Sequence, residues 1–352
     1  VARAESALSR EIPYRPSPSN SLQKSVVLGS ALLSESEFAN HCDALLSKVR
    51  DVFPEFVFSH KLKMVEKKKS LSNNAGLQLS FTDRFYEMIL LFKKKGSLDI
   101  VDGDVSVLTR EPNFDGYFDF ICECLNAFLT PVDFPKGNLV PVIWLEGENP
   151  LIDFFAHELN GRKLATGNSL FSGKCQQQLF SERLTLIQDN TAKFHAGNAF
   201  FDYEGVVNAE FQLPLIERGV LHSPYTDKRT ALEFGLRQTG SAGGAYDAVP
   251  AMQGFTPRLK ETHKDLNDLL QGQPAILVGI AGGGDFDSAG RFGSPVQSAF
   301  LYDDGVIKGR LPEFHLTDDY QSIFGSQFRG VCHAPFVQGG MGGVFVVDMK
   351  IC

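Results

Sequence analysis

The apolar positions in the first part of the chain follow helical and strand periods in turn. Ser34 and Glu37 stand at the spacing of a capping box and predict a helix that runs to about Phe53. Residues 77–81 alternate between apolar and polar side chains, which is the period of a β-strand. Residues 115–129 have the apolar spacing of a second helix. The pattern therefore predicts two helices layered against an antiparallel meander.

Most of the second part consists of short segments rich in β-branched and aromatic residues. Strands are predicted at residues 184–187, 209–213, 275–278, 299–302 and 344–347. Turns containing an acidic residue and a glycine, at residues 217–219 and 303–305, are typical of hairpins. The pattern predicts an α+β protein, with an N-terminal helix–antiparallel sheet layer domain followed by a β-rich, barrel-like C-terminal domain. We place a Pro/Ser-rich lead at residues 1–24, the α+β domain at residues 25–137 and the C-terminal domain at residues 138–352.

One helix in the second part carries candidate chemistry. Pro150 suits a first helical turn and Gly161 suits a helix end, so the helix is predicted to lie between these two residues. Glu158 falls on its apolar face, where an unpaired carboxylate is costly, and Arg162 follows four residues later. We therefore predict an ion pair between Glu158 and Arg162. The apolar face itself is formed by Leu151, Ile152, Phe155, Ala156 and Leu159.

The composition is that of a globular protein and argues against several functional classes. Hydrophobic residues make up 43% and charged residues 22% of the 352 residues. The formal net charge of −8 argues against a general nucleic-acid or anionic-membrane binder. No apolar run is long enough to span a membrane and no signal-peptide core is evident, so we expect a cytoplasmic protein. The six scattered cysteines are expected to be thiols rather than a disulfide framework.

Two further features invite a phosphate-binding interpretation. Three consecutive lysines occur at residues 67–69 and again at residues 93–95, but such runs are more typical of solvated turns or protected edge strands. Residues 282–284 are glycines that follow a predicted strand, yet the residues after them have neither dinucleotide-binding nor Walker spacing. We predict a glycine-rich turn there.

Several stretches of the second part, taken together, resemble one family. In chain order they are Asn168-Ser169-Leu170-Phe171-Ser172-Gly173-Lys174, Phe201-Asp202-Tyr203-Glu204-Gly205-Val206, Arg218-Gly219-Val220-Leu221, Thr239-Gly240-Ser241-Ala242-Gly243-Gly244 and Asp303-Asp304-Gly305-Val306-Ile307. They are similar to the TldD/PmbA (TldE) family, once described as modulators of DNA gyrase and understood as peptide-processing metalloproteases. The resemblance runs from about residue 138 to the last residue, and it implies a first domain that is shortened relative to the family.

The zinc-bearing TldD branch of that family implies a His-Glu-x-x-x-His helix and a distal cysteine as ligands, with the glutamate as general base. His157 and Glu158 match the first histidine and the glutamate, and Cys332 matches the distal cysteine. Arg162 stands at the second histidine position, and a guanidinium has no lone pair to give to a metal. Zinc is therefore expected to be absent or substoichiometric, with His157 a half-exposed helix residue and Cys332 a buried thiol. The alternative is an active zinc metallopeptidase that uses His157, Cys332 and a third ligand from among His195, His222 and His333.

The PmbA/TldE branch lacks the zinc motif and, by the same resemblance, pairs with a zinc-bearing partner. We therefore expect a peptide-holding subunit of a homo- or heterodimer with a TldD-like chain, acting on a peptide and on neither nucleic acid nor membrane. An extended peptide is expected to approach the backbone at Gly240, Ser241, Gly243 and Gly244. The alternatives are that these glycines serve turn geometry alone, or that the chain is an unrelated β-rich binding protein.

Overall fold

The first part of the chain forms a four-stranded sheet with two helices. The computed structural model describes residues 17–147, 149–245, 247–333 and 342–352. The elements of this part are, in order, β1 (Leu22–Leu28), α1 (Glu35–Val52), β2 (Phe56–Ser72), β3 (Leu77–Lys94), β4 (Gly103–Thr109) and α2 (Phe114–Leu129). The predicted order of helix, strands and helix is thus confirmed.

Strand β3 is the centre of this sheet. It pairs antiparallel with β2 and β4, as the meander predicted, whereas β1 pairs parallel with it and places Leu22 opposite Leu77. The predicted lead overlaps β1 at residues 22–24, and its residues 1–16 lie outside the described ranges. The lysines at residues 67–69 lie within β2, which is an edge strand, so the prediction that they lie in a turn is wrong.

The start of α1 has the predicted capping box. The Ser34 hydroxyl accepts a hydrogen bond from the N–H of Glu37 (3.3 Å), and the Glu37 carboxylate accepts one from the N–H of Ser34 (3.0 Å). Two N–H groups that the helix itself leaves unpaired are satisfied in this way. The same helix buries one face against the sheet through Phe38, Cys42, Leu45, Leu46 and Val49.

Short strands dominate the second part, as predicted. The strands are β5 (Val140–Leu145), β6 (Leu186–Asp189), β7 (Gln212–Glu217), β8 (Val220–Leu221), β9 (Ala242–Gly243), β10 (Ala251–Met252), β11 (Pro257–Leu259), β12 (Ala275–Ile280), β13 (Asp285–Phe286), β14 (Arg291–Val296), β15 (Ser298–Asp303), β16 (Val306–Arg310), β17 (Phe314–Asp319), β18 (Phe328–His333) and β19 (Gly343–Ile351). The helices are α3 (Pro150–Glu158), α4 (Gly161–Ala165), α5 (Lys228–Phe234), α6 (Leu266–Leu270) and α7 (Tyr320–Ile323), with a 3-10 turn at Ala209–Phe211. None of the helices in the described ranges is long and apolar enough to cross a membrane.

The largest sheet of the second part is open. Its strand order is β13-β14-β17-β19-β5-β12-β15-β16, with β18 also paired to β19. The α+β class is confirmed, but the barrel-like closure is wrong, because β13 and β16 stand at opposite ends of the sheet. A smaller sheet has the order β11-β6-β7-β8, and β9 pairs with β10.

Two hairpins have the turns that their sequences predict. Arg218 and Gly219 connect β7 to β8 with φ angles of 47° and 78°. Asp304 and Gly305 connect β15 to β16 with φ angles of 51° and 80°. A positive φ at both central residues matches the twist of the flanking strands, so glycine suits the second position of each turn.

The two faces of the large sheet are covered by different layers. On one face, Val142 and Trp144 of β5 pack in a core with helix α3. On the other face, Ile143 packs in a core that includes residues of α1 and α2 from the first part. Neighbouring residues of a strand point to opposite faces, and burial on both faces explains why β5 has no charged side chain.

Candidate functional site

The predicted motif helix is broken into two short helices. α3 begins with Pro150 after Asn149, whose side-chain oxygen accepts the N–H of Ile152 (3.0 Å). α3 ends at Glu158, because the side chain of Asn160 caps α4 by accepting the N–H groups of residues 162 and 163. The prediction of a single helix that continues to Gly161 is therefore wrong. Because Glu158 and Arg162 lie on different helices, their four-residue spacing does not place their side chains on one helical face.

Glu158 and Arg162 have different partners from those predicted. Glu158 is 6% exposed, with Oε1 lying 2.6 Å from Nδ1 of His157 and Oε2 accepting the N–H of Leu170 (2.6 Å). Arg162 forms an ion pair with Glu233 of α5 instead, and its guanidinium lies 5.5 Å from the ring centroid of Phe234. The buried carboxylate is thus stabilised by a neighbouring imidazole and a backbone N–H, which corrects the predicted Glu158–Arg162 pair.

Cys332 lies on the face of the large sheet that is remote from α3. On β18, Val331 belongs to the core that contains α3, whereas Cys332 belongs to the opposite core with residues of α6. The side chain of Cys332 is fully buried, and this burial, together with the nearby Asp265, raises the pKa of its thiol to about 12. The thiolate is the form that binds metals, so this environment disfavours ligation.

The other histidines named as third ligands lie in separate surroundings. Nε2 of His195 is 3.0 Å from the carbonyl oxygen of Pro257, and burial lowers the pKa of His195. His222 lies 3.6 Å from the carboxylate of Glu217 in the β7–β8 hairpin, and His333 is an exposed residue at the end of β18.

The donor set does not fit a zinc site. Within residues 17–147, 149–245, 247–333 and 342–352, no three His, Cys, Asp or Glu side chains are grouped closely enough to hold a metal ion. A structural or catalytic zinc needs at least three such ligands. The His157 side chain is exposed on α3, whereas Cys332 is buried in the core on the opposite face of the sheet. Arg162, at the second histidine position implied by the resemblance, offers no lone pair.

A second candidate site is a cleft of about 310 Å³, here called the glycine-lined cleft. Gly240, Gly243 and Gly244 of the predicted peptide-binding segment line it, with φ angles of 72° at Gly240 and 140° at Gly244. Ser241 is fully buried, and its hydroxyl lies 2.9 Å from that of Thr239. The cleft is completed by Lys67, Lys69, Asn190, Gly197, Asn198, Ala199, Phe201, Asp202, Tyr203, Ala242, Gln253, Gly254 and Thr256.

Asp202 holds the wall of this cleft in place. The buried carboxylate accepts the N–H groups of Glu204 (3.0 Å), Val206 (2.8 Å) and Ala242 (3.1 Å). Burial raises the pKa of Asp202, and the three N–H groups act in the opposite direction. Asp202 lies in the stretch of residues 201–206, and Ala242 lies in the stretch of residues 239–244. The Asp202 carboxylate therefore fixes the backbones of these two stretches relative to each other.

Lys67 and Lys69 of β2 are functional candidates that the sequence pattern alone did not identify. Nζ of Lys69 lies 3.9 Å from the ring centroid of Tyr203 and 5.2 Å from that of Phe201. Burial lowers the pKa of Lys69 to about 8. The signal available in the sequence was the strand period, which directs Lys67 and Lys69 to one face and Lys68 to the other.

The open mixed sheet, the glycine-lined cleft and the His157-Glu158 helix belong to one α+β protein. A family model described as the PmbA/TldA metallopeptidase C-terminal domain matches residues 148–351. The chain belongs to the TldD/PmbA family, and the resemblance in the sequence is thereby confirmed.

Relatives and solved structures agree with this assignment. A protein from Methanothermobacter thermautotrophicus named metalloprotease is 30% identical over 192 residues, covering 51% of this chain and 42% of that protein. A metalloprotease TldD homolog from Haemophilus influenzae is 29% identical over 222 residues, covering 59% of this chain and again 42% of the relative. The chain thus spans less than half the length of these curated relatives. The crystal structure of TldE from Thermococcus kodakarensis shares the fold, with a TM-score of 0.75 at 18% identity, covering 100% of this chain and 82% of that one.

Proposed function

We propose that this chain is the PmbA/TldE-like subunit of a proteolytic dimer, which holds a peptide but carries no zinc of its own. Its partner in this proposal is a zinc-bearing TldD-like chain, and the expected compartment is the cytoplasm. The single observation that carries the proposal is the engagement of Arg162, at the second ligand position, in an ion pair with Glu233.

The motif helix supports a structural role for its glutamate. A general base must reach the water that it deprotonates. Both carboxylate oxygens of Glu158 are already used, one near His157 and the other by the N–H of Leu170. This carboxylate is better suited to joining α3 to the segment that follows α4 than to proton transfer.

The glycine-lined cleft supports the peptide-holding role. Glycine leaves the backbone uncovered, so a peptide can come close enough to form main-chain hydrogen bonds as an added strand. Phe201 and Tyr203 add aromatic surface beside these glycines. A cleft of this size and lining is suited to a few residues of an extended chain.

The second candidate is an active zinc metallopeptidase with His157, Cys332 and Glu158 as its machinery. It is favoured by the names of the two relatives from Methanothermobacter thermautotrophicus and Haemophilus influenzae, each of which is called a metalloprotease. The burial of Cys332 on the opposite face of the sheet argues against it.

The deciding experiment is metal analysis of the purified full chain, with and without added zinc, followed by assays of peptide cleavage. We expect zinc far below one per chain and no cleavage of an unfolded polypeptide such as casein by the chain alone. Mixed with a TldD-like subunit that has an intact His-Glu-x-x-x-His motif, the chain should form a stable complex in analytical ultracentrifugation, and cleavage should appear.

Metal binding by the unchanged chain and by single-residue variants separates the two candidate functions. Arg162→His restores the missing ligand type, while Arg162→Lys keeps the positive charge. Stoichiometric zinc in the unchanged chain, lost in His157→Ala, would establish the metallopeptidase and overturn the proposal. A chain that stays monomeric with the TldD-like subunit, or that forms only homodimers, would overturn the heteromeric part.

A further inference from the structure

We propose that Lys67 and Lys69 form a carboxylate-binding site in the glycine-lined cleft, which recognises a carboxylate carried by the bound peptide. This inference rests on the proposed peptide-holding function and names a feature of the peptide that the cleft selects. It is carried by the placement of two ammonium groups in a cleft where, among the described residues, neither forms an ion pair with a carboxylate.

The strand register places both lysines on the same face of the sheet. Lys67 and Lys69 are separated by one residue of β2, and their cross-strand neighbours on β3 are Asp83 and Phe81. Lys68 points to the other face, where its ammonium pairs with Glu66 (2.7 Å). The chain thus neutralises the lysine on one face and leaves the two on the cleft face for another partner.

The acidic side chain opposite Lys67 on β3 is already satisfied. Asp83 is fully buried and receives two hydrogen bonds from Arg110, at 2.8 Å and 2.9 Å, and a third from the N–H of Gly197 at 2.7 Å. In the described part of the chain, no carboxylate oxygen lies within 4.0 Å of the ammonium of Lys67 or Lys69.

Asp202, the acidic side chain that lines the cleft, is occupied as well. Asp202 accepts three backbone N–H groups, and its charge acts on Lys69 only at longer range. The rings of Tyr203 and Phe201 cover part of the Lys69 ammonium and remove water from it. A cation that has lost part of its water gains more from an anion than a fully hydrated one does, because the local dielectric is lower.

A peptide carboxylate fits this arrangement. It is planar and small, can accept hydrogen bonds from two ammonium groups, and can reach the cleft on a strand that lies along the glycine backbone. The source can be the C-terminal carboxylate or the side chain of an aspartate or glutamate. Both sources share the chemistry, and the binding experiment distinguishes them.

The test uses three fluorescent peptides of alternating threonine and valine with blocked N-termini. One ends in a free carboxylate, one ends in an amide, and one ends in an amide with a single central glutamate. Fluorescence anisotropy with the full chain, alone and with the TldD-like subunit, gives the three affinities. We expect at least one carboxylate-bearing peptide to bind about tenfold tighter than the uncharged amide, or about 1.4 kcal/mol.

Lys67→Met and Lys69→Met keep most of the side-chain volume and should abolish that tenfold preference. Lys68→Met is the matched control, because it removes the same charge from the opposite face, and it should retain the preference. Circular dichroism and urea unfolding confirm that each variant is folded.

The outcomes separate this site from the proposed function. If all three peptides bind equally, or if the Lys68 variant loses the preference as the other two do, the lysine site is overturned while peptide holding stands. If no peptide binds under either condition, both proposals are overturned. A preference for the free C-terminus alone assigns the site to a peptide end, and a preference for the central glutamate assigns it to an internal acidic residue.

Discussion

The carboxylate of Glu158 accepts a 2.6 Å hydrogen bond from the backbone N–H of Leu170. This contact joins the end of α3 to the chain beyond α4, and the hydroxyl of Ser169 reinforces it by donating to the carbonyl oxygen of Glu158 (2.7 Å). Glu158, a candidate general base by the family resemblance, therefore connects two segments of this chain.

Removal of this carboxylate is expected to destabilise the protein. Glu158→Ala leaves the partly buried N–H of Leu170 without its acceptor, which costs about 1–3 kcal/mol. Glu158→Gln keeps an acceptor oxygen and should recover much of the loss. Urea unfolding measures both, with the exposed Glu233→Ala as a control that should change stability by less than about 1 kcal/mol. Equal stability of Glu158→Ala and wild type would contradict the structural role.

The ion pair of Arg162 with Glu233 should contribute little to stability. Both side chains are more than two fifths exposed, at 46% and 42%. Exposed pairs are weak because water screens them, so a double-mutant cycle with Arg162→Ala and Glu233→Ala should give a coupling of about 0.2–1 kcal/mol. The coupling should shrink further in high salt. A coupling of several kcal/mol would mean that the pair is buried, for example by a partner subunit.

Cys332 should resist thiol reagents in the native chain. It is fully buried, with a pKa raised to about 12, so very little thiolate is present at neutral pH. Iodoacetamide labelling followed by mass spectrometry should modify the exposed Cys352 quickly and Cys332 only after unfolding by denaturant. Rapid native labelling of Cys332, suppressed by added zinc, would instead identify it as an accessible metal ligand.

The stability of the chain should rise as Lys69 loses its proton. The folded-state pKa of Lys69 is about 8, below the ordinary value of 10.5, because burial outweighs the attraction of Asp202, and Lys67 repels it as well. Between these two values the unfolded chain binds the proton more tightly, so rising pH favours the folded state. Below pH 8 this gain is absent.

Comparison of wild type with Lys69→Met measures this dependence. The free energy of unfolding of wild type should increase relative to the variant as pH rises from about 8 to 10.5. Lys68→Met, whose ammonium pairs with Glu66 on the other face, controls for the general loss of a charge. If the gap between wild type and Lys69→Met does not change across this range, Lys69 is fully hydrated.

Local features of the fold were predictable because neighbouring residues form them. The capping box of Ser34 and Glu37 and the glycine turns at Gly219 and Gly305 were all correct. The end of the motif helix was missed, although the signal was local as well. Asn160 is a strong capping residue, and its preference for starting a new helix outweighs the continuation of the apolar period.

The sequence by itself determined the family, the α+β class and the spacing of Glu158 and Arg162. Those properties depend on residue identity and short spacing. Only the tertiary structure decided that Cys332 faces the layer opposite α3, and that Lys67 and Lys69 enter a cleft built largely by residues 190–256. These arrangements depend on which distant strands pair and on which face of the sheet each side chain lies. Such long-range contacts cannot be predicted from the local pattern of apolar and polar residues.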